Sequence, residues 1–137
     1  MSRLPPSAQV NKSSFLRFLL VGGAATLLHY IIMWCLMYFS SFSASTSSAA
    51  GYTLSTLFNY WANSRYAFGG GYSHRRSLPR FLLVAIIGLG INQIVLLIGI
   101  YFSLPILIAQ LAATSFVVFW NYFVNAVWTF ARKDTKL

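Results

Sequence analysis

Three apolar runs constrain this chain more than any other feature. Phe15–Phe39, Phe81–Phe102 and Leu104–Trp128 are each long enough to cross a bilayer core, and the last two hold no charged side chain. Such a crossing takes about 20 residues in a helix. A soluble fold of 137 residues, 58% hydrophobic and only 8% charged, has no interior large enough to hide them. Lipid as the solvent removes the difficulty. The first run follows basic residues, as a signal peptide would, but it far exceeds the roughly 7–15 residues of a signal core. No convincing small-x-small cleavage site follows it, so it is expected to be retained.

A fourth span is argued from charge. Ala44–Asn63 is rich in Ser and Thr, and a hydropathy window scores it poorly. Parity favours it. Arg3, Lys12 and Arg17 precede or open the first run. Arg65, Arg75, Arg76 and Arg80 lie between the polar stretch and the second strong run. Arg132, Lys133 and Lys136 follow the last. If Ala44–Asn63 crosses the membrane, all 10 basic residues fall on one side. If it does not, the basic clusters are split across the bilayer, against the positive-inside tendency. The expectation is therefore four transmembrane helices, with both termini cytoplasmic and the chain in the cytoplasmic (inner) membrane. Residues 1–14 form a cytoplasmic tail, 15–131 the membrane domain and 132–137 a second tail. The net charge of +9 belongs to the span ends, beside an anionic leaflet, and not to a nucleic-acid site. Small residues and hydroxyls suit the polar helix to packing against other helices.

The two halves repeat one another. Arg17-Phe-Leu-Leu-Val21 recurs as Arg80-Phe-Leu-Leu-Val84. Phe58-Asn59-Tyr60 corresponds to Trp120-Asn121-Tyr122, Asn63 to Asn125, Tyr66 to Trp128 and Phe68 to Phe130. Each half holds two spans, so the expected fold is all-α, built from two parallel two-helix repeats related by an axis along the membrane normal.

Polar residues inside spans are the candidates for function. Asn59 and Asn63 are four apart on one helix face, and Asn121 and Asn125 repeat them. Amides offer donors and an acceptor to sugar hydroxyls or phosphate oxygens. They would serve equally to lock helices together. Arg17, Arg80 and Arg65 could surround one anionic headgroup, because a guanidinium matches phosphate bidentately. The alternative is that they are ordinary interfacial anchors. His29 lies 12 residues past Arg17 and Asn92 12 past Arg80, about 18 Å deep at about 1.5 Å per residue. With Gln93 they suggest an intramembrane polar path, and Gln110 is a further intramembrane amide, although His29 could also be a neutral core residue.

Absences narrow the function. Asp134 is the only acid in the chain, so no span carries a carboxylate for acid–base work, for a metal cage or for cation export of the small-multidrug-pump kind. One cysteine, Cys35, and two histidines make neither a disulfide nor a metal site. No cofactor, metal or catalytic residue is expected.

Three motifs in order then carry a resemblance. They are Arg17-Phe-Leu-Leu-Val-Gly-Gly, Asn-Tyr-x-x-Asn-x-Arg at 59–65 and Asn-Tyr-Phe-Val-Asn-x-x-Trp-Thr-Phe at 121–130. With four spans and a basic central loop, the chain resembles the GtrA-like proteins over about residues 15–131. The resemblance implies translocation of a polyprenyl-phosphate-linked monosaccharide across the cytoplasmic membrane for cell-surface polysaccharide synthesis. It carries Asn59, Asn63, Arg65, Asn121 and Asn125 as headgroup-binding residues, and Arg17 and His29 more loosely. Val127 stands where the first half has Arg65, so the site is not symmetric. The implied partners are the sugar lipid, membrane lipids and a membrane glycosyltransferase, with a second copy of the chain left open. A non-transporting scaffold for the glycosyltransferase is the alternative.

Overall fold

The structure is a computed structural model that describes residues 12–67 and 74–129. They form four helices: α1 (Lys12–Phe39), α2 (Ala44–Ala62), α3 (His74–Tyr101) and α4 (Ile106–Val124). α2 and α4 each continue into a π-helical turn, Asn63–Ala67 and Asn125–Thr129. No strand occurs among the described residues. Most of the N-terminal tail, the loop tip with Phe68, and everything from Phe130 onward lie outside them, as does the side chain of Asn125.

α1, α3 and α4 with its π turn are long and apolar enough to cross a membrane; α2 does not qualify by apolarity. Its two faces explain why. The buried face carries Ser47, Ser48, Gly51, Tyr52 and Ser55, whereas Leu54, Leu57 and Trp61 point outward. Exposed Thr53 donates its hydroxyl to the Ala49 carbonyl at 2.8 Å, so it need not face lipid unpaired. Apolar outside and polar inside is the inverse of a soluble amphipathic helix. Its 19 residues rise about 28 Å, close to a bilayer core of about 30 Å.

α1 packs on α2, α3 on α4, and α2 against α3 joins the two hairpins. Glycine permits the closest approaches. A Cβ on Gly51 would lie 2.6 Å from the backbone oxygen of His29, and one on Gly99 would lie 2.5 Å from the Ala109 Cβ. Leu96, Ala109 and Ala113 form a fully buried seam beside Gly99. The connectors are short and capped. The Ser43 hydroxyl accepts from the Thr46 amide at 3.1 Å to start α2. α3 ends with Ser103 at φ 60°, where the Leu104 amide reaches the Gly99 carbonyl and the Ser103 amide that of Ile100. This pair of bonds is a Schellman stop, and Pro105 follows it.

The opposite end, where the arginines lie, has matched contacts in the two halves. Arg17 Nη1 donates to the Tyr66 carbonyl at 3.4 Å, and Arg80 Nη1 to the Trp128 carbonyl at 2.9 Å. Each guanidinium therefore reaches a carbonyl of a π turn, at a helix C-terminus where carbonyls lack partners and the dipole favours a cation. These pairs join residues that the sequence repeat makes equivalent.

Candidate functional site

A knot of buried polar groups joins all four helices. Ser48 of α2 donates to Gln110 Oε1 of α4 at 2.7 Å and accepts from Asn92 Nδ2 of α3 at 3.0 Å. His29 Nε2 of α1 lies 3.2 Å from the same hydroxyl. The one hydroxyl proton is given to Gln110, so His29 must donate from Nε2. Gln110 Nε2 then donates to Asn92 Oδ1 at 2.8 Å and to Thr114 at 3.3 Å. Buried polar groups survive away from water only when paired in this way.

Beside the knot lies a cavity of about 380 Å³, at the small end of the roughly 300–1,000 Å³ of ligand pockets. His29 and Asn92 form its deep end. Tyr52, Ser55, Thr56 and Asn59 of α2 make one wall, and Thr114, Val117 and Asn121 of α4 the other. Phe18, Gly22 and Gly23 of α1 complete it. Phe18 to His29 spans about 16 Å along the helix, so the cavity runs from near the arginine end to mid-bundle. Among the described residues no Lys, Arg, Asp or Glu lines it, and its wall is mainly apolar with several amides and hydroxyls. Those residues offer hydrogen bonds without charge. Such a surface suits a hydroxyl-rich neutral group, whereas a bare charge would be desolvated without compensation.

Of the residues singled out in the sequence, His29, Asn59, Asn92 and Asn121 come together around this cavity. Asn63 does not line it. It is buried behind Asn59 and donates its amide to Asn59 Oδ1, while its own Oδ1 finds no partner. Asn121 Oδ1 is likewise buried, turned toward Gly88 beside the Tyr52 hydroxyl. Gln93 is tied to Ser45, accepting its hydroxyl at 2.5 Å and donating to its carbonyl at 3.3 Å, toward the connector end.

The three arginines do not converge on one point. Arg17 reaches the carbonyl of the residue after Arg65, so these two share one corner of the bundle. Both are exposed, and Arg17 immediately precedes the wall residue Phe18. Arg80 occupies the corresponding corner of the other half, its guanidinium carbon 5.2 Å from the Trp128 ring centre. Among the described residues no cluster of His, Cys, Asp or Glu could hold a metal ion.

Sequence inspection missed Ser48, Tyr52, Ser55 and Thr114. The signal was present in α2: Ser48, Tyr52, Ser55 and Asn59 follow an i, i+4, i+7, i+11 spacing, which is one helix face.

Four helices of this composition, apolar outward and with amides and hydroxyls packed inward, define an integral membrane protein. The family follows from comparison. Residues 17–130 match the GtrA/DPMS transmembrane domain, and the chain belongs to that family. Membership ties it to the handling of lipid-linked sugars in membranes. Searches of curated proteins and of solved structures gave no match.

Proposed function

We infer that this protein moves the head of a polyprenyl-phosphate-linked monosaccharide from the cytoplasmic to the outer face of the cytoplasmic membrane, to supply cell-surface polysaccharide synthesis. The observation that carries this is the uncharged amide- and hydroxyl-lined cavity within the bundle. Asn59 and Asn121 bind sugar hydroxyls, and Asn63 positions Asn59 from behind. Asn125, its counterpart by sequence, is assigned the matching role in the second half. His29 and Asn92 close the deep end, and Gln93 holds the path toward the far face. The phosphodiester stays at the arginine end, with Arg65 and Arg17 as its cations and Arg80 as the structural counterpart in the second half. Translocation needs no bond made or broken. Both termini are cytoplasmic, and a membrane glycosyltransferase takes the delivered sugar lipid on the outer face.

Purified protein reconstituted alone into vesicles, with a labelled polyprenyl-phosphate hexose, tests this. The head should become accessible on the opposite leaflet faster than in protein-free vesicles. Equal rates would support the scaffold role in its place. Orientation is checked by cysteine labelling in a Cys35→Ser background. Ser41→Cys should react from outside the cell, and Arg76→Cys only from the cytoplasm.

A further inference from the structure

α1 and α4 face one another across the cavity, yet they are not among the closely packed helix pairs. Contacts at either end bridge them. Toward the connector end, Tyr30 OH lies 2.6 Å from Thr114 Oγ1. Toward the arginine end, the Tyr122 ring stands 5.5 Å from that of Phe15 and 5.0 Å from that of Phe18. Between these bridges the α1 side is Gly22-Gly23, where an added Cβ would meet nothing within 4 Å. The flanking wall residues Leu19 and Val118 are both exposed. Tyr30 is 12 residues from Phe18, so the opening is about 18 Å tall along α1.

The cavity thus opens sideways, between helices, onto the surface that contacts lipid. Amides and hydroxyls project into an otherwise mainly apolar interior, and the rim of Leu19 and Val118 is wholly apolar. A headgroup in the cavity is bonded to a chain that cannot remain among amides, and this opening leads to hydrocarbon. We propose that the cleft between α1 and α4 is a lateral portal that takes the polyisoprenoid chain of the bound lipid, held open by Gly22 and Gly23 and bounded by the Tyr30–Thr114 and Phe15/Phe18–Tyr122 bridges. This rests on the transport function inferred above. It explains why glycines occupy a stretch where they meet no neighbour. Close helix approach accounts for Gly51 and Gly99, but at Gly22 and Gly23 a missing side chain preserves space.

The test is photocrosslinking of the full chain in bilayers with radiolabelled polyprenyl monophosphate that carries no sugar. p-Benzoylphenylalanine at Leu19 or Val118 should label the probe, and unlabelled polyprenyl phosphate should compete where phospholipid does not. The same reporter at Leu57 or Ile86, exposed elsewhere on the bundle, should give only background. Gly22→Leu should abolish the competed label at Val118. Gly90→Leu, also with open space at its Cβ but away from the cavity, should leave it intact. Equal labelling at all four positions, competition by ordinary phospholipid, or crosslinking of the rim to a second copy of the chain would overturn the portal. Headgroup transport without rim labelling would overturn the portal alone. Rim labelling without headgroup transport would overturn the transport function and leave the portal standing.

Discussion

The two halves share a frame and differ in what they put inside it. In each, the first helix supplies an arginine to a carbonyl of the π turn that ends the second helix. In each, a glycine lets the paired helices touch. The inward faces then diverge. α2 buries Ser47, Ser48, Tyr52 and Ser55, whereas α4 buries Ala109, Ala113 and Val117 with Gln110 as its buried amide. Arg65 in the first π turn is matched by Val127 in the second. The difference separates two demands. Helix ends need partners whatever the protein does, so both halves meet that demand alike. On the proposed function, one phosphodiester needs one dedicated cation corner, so the halves need not both supply it.

The largest effect is expected where the frame is tightest. Gly51→Leu forces a side chain onto the His29 backbone, and overpacking of this kind costs about 1–3 kcal/mol. Gly99→Leu meets the Cβ and Cα of Ala109, which cannot move without the backbone, and should cost about as much, while Gly90→Leu should stay within about 0.5 kcal/mol. Thermal unfolding in detergent separates the first two from the third. If Gly51→Leu proves as mild as Gly90→Leu, the close α1–α2 approach is not a constraint.

Next comes the asymmetry in charge. Arg65→Gln should lower headgroup transport by about tenfold or more, since a charged hydrogen bond contributes about 1.5–3 kcal/mol. Arg65→Lys should keep part of the activity, and Val127→Ala should keep all of it. Arg75, Arg76 and Arg80 still hold the loop on its side, so topology should not change. Transport at matched protein levels decides. Full activity of Arg65→Gln would remove the claim that the halves differ in function at this position.

A smaller effect separates frame from function at Arg17 and Arg80. Arg17→Gln and Arg80→Gln should destabilise similarly, by about 1 kcal/mol for one hydrogen bond. Only Arg17→Gln should also slow transport. Equal transport losses would mean that both corners bind phosphate. The smallest effect is at the connector end. Gln93→Leu removes the tie to Ser45 and should cost about 0.6 kcal/mol, the average for interhelical bonds in membranes. Transport should slow only slightly, since Gln93 flanks the path without lining the cavity.

The fold was legible because its constraints are one-dimensional. Apolar length, the side on which basic residues fall and the recurrence of Arg-Phe-Leu-Leu-Val all survive without coordinates. The helix over the polar stretch Ala44–Ala62 matches the one that charge parity called for, and its inward serines and outward leucines give the physical reason that hydropathy undervalues it. The site was legible only in part. His29, Asn59, Asn92 and Asn121 stand out as polar residues in apolar surroundings, but residue type does not tell a cavity wall from a helix lock. Asn59 and Asn63 share one face and still differ: one lines the cavity and the other supports it from behind. Ser48 shows the same limit. A serine in a small-residue helix reads as close packing, yet this one bonds to Gln110 and Asn92 and contacts His29. The arginines suggested a single anion cradle, whereas helix geometry divides them between two corners.

The central claim is that the sugar head is held by the neutral amides of the cavity, Asn59 and Asn121. The most direct measurement compares wild type with the Asn59→Ala/Asn121→Ala variant in vesicles containing a labelled polyprenyl-phosphate hexose, at equal reconstituted protein and equal thermal stability. The account predicts that wild type exposes the head on the far leaflet and that the double variant falls to the protein-free rate. Wild-type transport by the folded double variant would contradict it.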